Sequence, residues 1–312
     1  MNNKILIVGT GALATLFAAR LAQAGNSVIM LGTWKAALDS LRDHGVRLID
    51  EDRREHQFPV TATNDPRECQ GVKYTLVLVK AWQTERAASQ LKECLADDGL
   101  AITLQNGLGN REILAQSLGD ERVALGVTTT GATLLGPGLV REGGEGTISV
   151  ERHPFLSPVE AALRAANFPL DVVENAQSLI WGKLVINAAI NPLTALLQVP
   201  NGRLLELPSA RELMGALARE TARVAASERV ELPFPDPVAA AEEVARRTSA
   251  NHSSMLQDVL RGAPTEIDAI CGAVVKYARR HGVATPANRA CWTLVRALAN
   301  RSQRLETSIS YQ

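Results

Sequence analysis

Residues 5–8 read Ile-Leu-Ile-Val, and the next six are Gly9-Thr10-Gly11-Ala12-Leu13-Ala14. An unbroken apolar run that stops at a glycine suits a strand buried on both faces of a parallel sheet. An Ala/Leu-rich segment then runs to Ala24, Gly25 stands where a helix C-terminal glycine belongs, and a second apolar run fills Val28 to Leu31. Strand, turn, helix and strand within about 30 residues is one parallel crossover. The six-residue turn fits G-x-G-x-x-G/A. Its glycines let backbone N–H groups approach a pyrophosphate, and the following helix N-terminus adds partial positive charge. Gly9, Thr10, Gly11, Ala12, Leu13 and Ala14 are therefore candidate dinucleotide contacts, although a purely structural glycine turn carries the same letters.

The alternation continues. Tyr74–Val79, Leu100–Leu104 and Val123–Val127 are strand candidates, with helices expected around Gln83–Leu95 and Glu112–Leu118. This is the pattern of a doubly wound α/β sheet. Gly- and Thr-rich residues 131–150 suggest antiparallel strands at its edge, and Ser157-Pro158-x-Glu160 has the form of a capping box. Beyond about residue 175 the pattern turns helical: Ser178–Leu197, Ala210–Ser227, Pro237–Gly262, Thr265–His281 and a last helix from Pro286. Two domains follow, an α/β sheet domain over 1–174 and an all-α domain over 175–312.

Composition excludes several classes. Lys plus Arg and Asp plus Glu each number 33, so no net field draws the chain to nucleic acid or an anionic membrane. Cys69, Cys94, Cys271 and Cys291 form no CxxC, and the histidines form no HxxxH; free thiols in a reducing cytosol and no metal site are expected. The chain opens on a strand without a leader pattern, and the apolar stretch Leu184–Leu197 is broken by Asn187, Asn191, Pro192 and Thr194, so no membrane span is expected. These features point to the cytoplasm. A homodimer stays open, because sequence does not separate exposed faces of the helical half from interface faces.

The end of the second strand discriminates between dinucleotides. NAD binders usually carry an acid there for the ribose hydroxyls. Here the chain reads Leu31-Gly32-Thr33-Trp34-Lys35, with no acid before Asp39. Thr33 and Lys35 suit a 2′-phosphate, which favours NADP, although a solvated lysine at a helix start reads the same way.

The most informative segment is Trp181-Gly-Lys183-Leu-Val-Ile-Asn187-Ala-Ala-Ile-Asn191-Pro-Leu-Thr194. Lys183, Asn187 and Asn191 stand four apart and share one helix face, amid apolar neighbours. Such a stripe needs a polar ligand or a polar neighbour, because these groups are costly to bury unsatisfied. An interhelical hydrogen-bond network is one answer. The other is chemical. Reduction of a ketone by hydride needs a proton on the developing alkoxide, and a partly desolvated lysine is a better acid near neutrality. Its charge also stabilises the growing negative charge. Asn251 and Ser254, three apart in an expected helix, and Glu266 at the next helix start are further candidates. An acid in a first turn also simply complements the helix dipole.

These residues resemble the ketopantoate reductase family along nearly the whole chain. The motifs in order are Gly9-x-Gly11; Leu78-Val-Lys80-Ala-Trp-Gln; Gln105-Asn106-Gly107; Trp181-x-Lys183-Leu-x-x-Asn187-x-x-x-Asn191-Pro-Leu-Thr-Ala; Pro200-Asn201-Gly202; Ser253-Ser254-Met-Leu-Gln-Asp258; and Thr265-Glu266-Ile-Asp268. The resemblance implies a Rossmann-type domain, an all-helical domain with the cleft between them, and NADPH-dependent reduction of ketopantoate to pantoate in pantothenate and coenzyme A synthesis. It implies Lys183 as proton donor and substrate contact. It implies Lys80 and Asn106 at the nicotinamide end, with Asn106 also near substrate, and Glu266 contacting the cofactor or positioning the reacting group. Asn187, Asn191, Asn201, Asn251 and Ser254 would hold the substrate's hydroxyl and carboxylate; Thr133 would lie by the cofactor. Ala14 is a tolerated ending of the turn. The family often carries Arg where this chain has Thr33; Lys35 offers only a point charge, so NAD stays open. Two other readings are a paralogue reducing another 2-keto acid and a non-catalytic NAD(P)-binding redox sensor.

Overall fold

The fold is given by a computed structural model that describes residues 4–144 and 146–309, with side chains through Ala299. The chain divides into two compact units: Met1–Gln105 with Asn110–Ala176, and Gln177–Gln312 with Asn106–Gly109. The short segment 106–109 thus packs with residues far along the chain rather than with its neighbours.

In the first unit, β1 (Lys4–Val8), β2 (Ser27–Leu31), β5 (Thr61–Thr63), β6 (Val72–Val77), β7 (Leu95–Thr103), β8 (Val123–Thr128), β11 (Ile148–Glu151) and β12 (Leu170–Val173) form one sheet in the order β12-β11-β8-β7-β6-β1-β2-β5. All neighbours are parallel except β8–β11. The pleat explains the apolar run: Ile5 and Ile7 join the core on one face with Met30 and Phe17, whereas Leu6 and Val8 join the other with Leu31 and Leu91. The covering helices are α1 (Ala12–Gln23), α2 (Lys35–His44), α3 (Thr84–Cys94), α4 (Asn110–Leu118) and α5 (Ser157–Ala165).

Residues 131–150 do not form the expected sheet edge. β9 (Ala132–Gly136) and β10 (Leu139–Glu142) pair with β3 (Val46–Ile49) and β4 (Glu55–Phe58) in a separate sheet, order β4-β3-β10-β9. Only β11 is antiparallel on the main sheet, and β12 lies outside it. The Ser157 capping box is also absent: α5 starts at Ser157 itself, Leu156 is the cap residue, and Glu160 accepts from Arg164 at 3.0 Å.

The second unit is helical: α6 (Gln177–Leu197), α7 (Arg203–Glu206), α8 (Pro208–Ser227), α9 (Pro237–Arg247), α10 (Ser254–Leu260), α11 (Ala273–Arg280) and α12 (Pro286–Ile309). α6 is its core. By length and composition alone it is apolar enough to cross a membrane, but 72% of its most apolar window is buried within the fold.

The single helix expected over Pro237–Gly262 is two helices. Thr248-Ser-Ala-Asn-His-Ser is rich in side chains that compete for backbone groups, and Thr248 Oγ1 donates to the Val244 carbonyl at 2.7 Å. The carbonyls of Ser249 and Asn251 accept from Gly202 N–H and Asn201 N–H, both at 3.0 Å, and Ser253 starts the next helix as its N-cap. The helix expected from Thr265 is regular only from Ala273; Asp268–Gly272 form a π turn before it.

One buried acid organises the other side of this unit. Glu220 on α8 is 4% exposed, and its carboxylate accepts from the amides of Ala287 and Asn288 at 2.9 Å and from Asn288 Nδ2 at 3.0 Å. It caps α12 from a neighbouring helix, where helix-terminal amides have no partner of their own. Glu220→Ala is expected to cost about 2–4 kcal/mol, since charged hydrogen bonds and a buried cap are lost together. Urea denaturation measures this; a change under about 0.5 kcal/mol would refute the capping role.

Candidate active site

In the first unit the glycine turn is shaped by backbone proximity. Gly9 has φ +132°, and a Cβ there would stand 3.1 Å from the Leu78 carbonyl carbon and oxygen. Gly9 N–H donates to Leu31 O at 2.8 Å, tying the turn to the end of β2. Gly11 is the N-cap of α1; it is exposed, makes no side-chain cap bond, and has nothing within 4 Å of a Cβ position. No acid occupies the first turn of α1. An open, uncapped and acid-free N-terminus fits a dinucleotide pyrophosphate. Thr10 and Ala14 are buried, whereas Ala12 and Leu13 are half-buried.

Gly32 packs on the Thr10 side chain, where a Cβ would stand 2.7 Å from Thr10 Cγ2, so the end of β2 lies beside the turn. Thr33, Trp34 and Lys35 are exposed there. Lys35 Nζ donates to Asp39 Oδ2 at 2.6 Å, and Arg42 approaches the same carboxylate at 3.5 Å. The i, i+4 spacing to Asp39 is the sequence signal for this pair. Lys80 is half-buried before the short 3₁₀ turn Ala81–Gln83, and its N–H donates to Gln83 Oε1 at 3.3 Å. Gln105 Nε2 donates to Val79 O at 3.0 Å, which fixes the residue preceding Asn106. Thr133 is half-buried on β9, a strand that packs against α1.

In the second unit, Lys183, Asn187 and Asn191 succeed one another on α6. Asn191 is buried and the other two are half-buried, flanked by buried Leu184, Val185, Ala188 and Ile190. Although part of the Lys183 side chain is accessible, its ammonium is enclosed by protein. Burial pulls its pKa down from 10.5 to about 8, and the Glu266 carboxylate works against that shift. Glu266 lies just ahead of the π turn, only 6% exposed, so it is more than a dipole-complementing acid. Its Oε2 accepts from Asn106 Nδ2 at 3.2 Å, across 160 residues of sequence.

Gly107 makes that contact available. Its φ is +82°, and a Cβ would stand 2.3 Å from the Ala269 carbonyl oxygen; Leu108 N–H donates to that same oxygen at 3.1 Å. The fold therefore brings Asn106, Lys183 and Glu266 into one polar cluster.

The remaining candidates sit around the helical unit with one correction. Asn251 and Ser254 do not share a helix face: Asn251 is in the α9–α10 loop, and Ser254 is the first residue of α10. Both are exposed, whereas Ser253 between them is buried and caps α10 by accepting from Leu256 N–H at 3.1 Å. Asn201 is 7% exposed; its Nδ2 donates to Thr248 Oγ1 at 2.9 Å, and its Oδ1 is buried without a hydrogen-bond partner among the described residues. The buried thiols are inert by comparison, with Cys94 pushed up to about 12 and Cys291 to about 11 by desolvation. No group of three or more His, Cys, Asp or Glu able to hold a metal occurs among the described residues.

Residues 5–154 match the family model "Ketopantoate reductase PanE/ApbA", and residues 175–299 match "Ketopantoate reductase PanE/ApbA C terminal". The chain belongs to the ketopantoate reductase family. It is an NAD(P)H-dependent oxidoreductase. The 2-dehydropantoate 2-reductase of Archaeoglobus fulgidus is 37% identical over 300 residues, covering 95% of this chain and 97% of that one. That of Halobacterium salinarum is 34% identical over 304 residues, covering 96% and 99%. Among solved structures, a PanE/ApbA family ketopantoate reductase from Ralstonia eutropha has a TM-score of 0.90 at 33% identity, covering 96% and 99%. A D-mandelate dehydrogenase with NADH and anilino(oxo)acetate has a TM-score of 0.89 at 26% identity over the same shares.

The Lys183 ammonium is directly measurable. After reductive methylation with ¹³C-formaldehyde, its NMR titration is expected near pH 8, well below those of exposed lysines. Removing the carboxylate takes away the influence that raises the pKa, so Glu266→Gln is expected to move this titration lower. A midpoint near 10.5, or an upward move in the variant, would refute the burial and pairing described.

Proposed function

We propose that this chain is a 2-dehydropantoate 2-reductase that converts ketopantoate to pantoate, with Lys183 as the general acid. The observation that carries the reading is a desolvated lysine facing a buried carboxylate, which is itself held by Asn106. A bound nicotinamide cofactor supplies the hydride to the ketone carbon. Lys183 supplies the proton: its Nζ–H bond breaks as the substrate's O–H bond forms, and the amine then regains a proton from solvent. With a pKa of about 8 the group is about nine-tenths protonated at pH 7, yet more acidic than an ordinary lysine. Glu266 holds the ammonium in its charged form, and Asn106 fixes that carboxylate and faces cofactor and substrate. Asn187, Asn191, Asn201, Asn251 and Ser254 recognise the substrate carboxylate and hydroxyl.

On the cofactor side, Gly9–Ala14 receive the pyrophosphate, with Lys80, Thr133 and Glu266 toward the nicotinamide. We read NADPH as the preferred donor by a modest margin. No acid ends β2, and Lys35 stands in the first turn of α2. Its pairing with Asp39 tempers that preference, which keeps NADH a usable donor. The cytoplasmic setting and place in pantothenate synthesis belong to the same reading.

Steady-state turnover of ketopantoate against a panel of 2-keto acids, with each nicotinamide in turn, tests this; negligible turnover of ketopantoate alone refutes it. Lys183→Ala is expected to lower kcat by roughly 10²–10⁴-fold while cofactor affinity stays within about twofold. Because the acid must be protonated, reductive kcat/KM is expected to hold below pH 8 and to fall above it, about tenfold per unit well past the midpoint. A profile flat to pH 10 would remove lysine from the role. Lys35→Ala is expected to weaken NADPH binding several-fold, on the order of 1 kcal/mol, with NADH binding unmoved; calorimetry reads both.

A further inference from the structure

We propose that Thr194 is a positioning residue for substrate binding, acting through a two-hydroxyl bridge to Ser253; this rests on the reading of Asn191, Asn251 and Ser254 as substrate contacts. Thr194 on α6 is fully buried, and Ser253 is 6% exposed. Their Oγ atoms are 2.7 Å apart. One assignment of protons satisfies every partner. Thr194 Oγ1 donates to the Asn191 carbonyl at 2.9 Å, so it accepts from the Ser253 hydroxyl. The Ser253 oxygen in turn accepts from Leu256 N–H at 3.1 Å. The bridge therefore runs from the first turn of α10, where Ser254 sits, to the backbone of Asn191.

The location matters because α6 is weakened there. Pro192 lies inside the helix and has no N–H, so the Ala188 carbonyl lacks its i+4 amide. The bond from Thr194 braces the turn containing that proline. The far side of the Thr248–Ser253 loop is held separately. Asn201 N–H and Gly202 N–H donate to Asn251 O and Ser249 O, and a Cβ on Gly202 would stand 2.6 Å from Ser249 Cβ. The loop bearing Asn251 is thus gripped by residues 201–202 on one side and by Thr194 on the other. Unlike the backbone bonds from Asn201 and Gly202, the Thr194 grip is a side-chain bond that can be removed with little change of shape. Removing it leaves the Ser253 hydroxyl buried without an acceptor, a loss relieved by movement of the loop.

Thr194→Val keeps the volume and deletes the hydroxyl; Thr194→Ser keeps the hydroxyl. In Thr194→Val, KM for ketopantoate is expected to rise about tenfold, with kcat within about threefold, as fits a lost buried hydrogen bond that acts on binding. Its alkaline limb and NADPH affinity stay in place, amide exchange of residues 251–257 speeds up, and Thr194→Ser restores KM and exchange. Wild-type KM and exchange in Thr194→Val, or a Thr194→Ser as impaired as the valine variant, would overturn the proposal. Where the valine variant does not fold, Thr194→Ala, which leaves the Ser253 cap on Leu256 N–H intact, replaces it with the same expectations. If the wild-type enzyme does not reduce ketopantoate, the functional reading fails, whereas the exchange comparison still decides whether the bridge holds the loop.

Discussion

A single ammonium group, carried by a helix that is apolar on nearly every other side, sets the terms for the helical unit. In water the Lys183 amine would hold its proton to pH 10.5 and be a poor acid; burial pulls that value down. Glu266 supplies the opposing influence, and the balance settles at about 8. That balance needs the carboxylate to be fixed, and Asn106 fixes it. Asn106 in turn is placed by Gly107, whose backbone lies where any side chain would strike Ala269. The acidity of one lysine thus traces back to a glycine and a π turn that are distant from it in sequence.

Missing Cβ atoms serve two purposes in this protein. At Gly9 and Gly107 they let backbone approach backbone, at Leu78 in the sheet unit and at Ala269 in the helical unit, and both glycines also take positive φ. At Gly11 there is no such neighbour, and the space is open. A tight turn explains the first kind. The second kind leaves the helix amides open to approach, which suits an anionic group from outside the polypeptide. The two meanings look identical in a G-x-G string, which is why the strand before it and the helix after it carry the inference.

The parts legible in the sequence were those with strong local periodicity. The run at Ile5–Val8 declared a strand covered on both faces, and the stripe at Lys183, Asn187 and Asn191 declared a helix face needing polar company. Short strands escaped: β4 is Glu-His-Gln-Phe with its first three residues exposed, so it carries no apolar signal and exists only by pairing with β3. The break between α9 and α10 was misread because Thr248–Ser253 can sit in either state. What decides is tertiary, the bonds to Asn201, Gly202 and Thr194. Glu266 was ambiguous for the same reason, since its partners lie in segments that no local window contains.

The same logic explains why a helix as compromised as α6 can be the core of its unit. Two asparagines and an internal proline each weaken an isolated helix. Trp181, Leu184, Val185, Ala188, Ile190 and Leu193 are almost wholly buried around them, and Trp181 meets Tyr277 edge-on at 5.6 Å. Packing on these flanks holds the stripe in place and offsets what the stripe's own residues cost the helix. It follows that the flanks bear on the geometry of the polar stripe. Close-packed interiors transmit a lost methylene as a shift of neighbouring side chains, and here the neighbours are the polar ones.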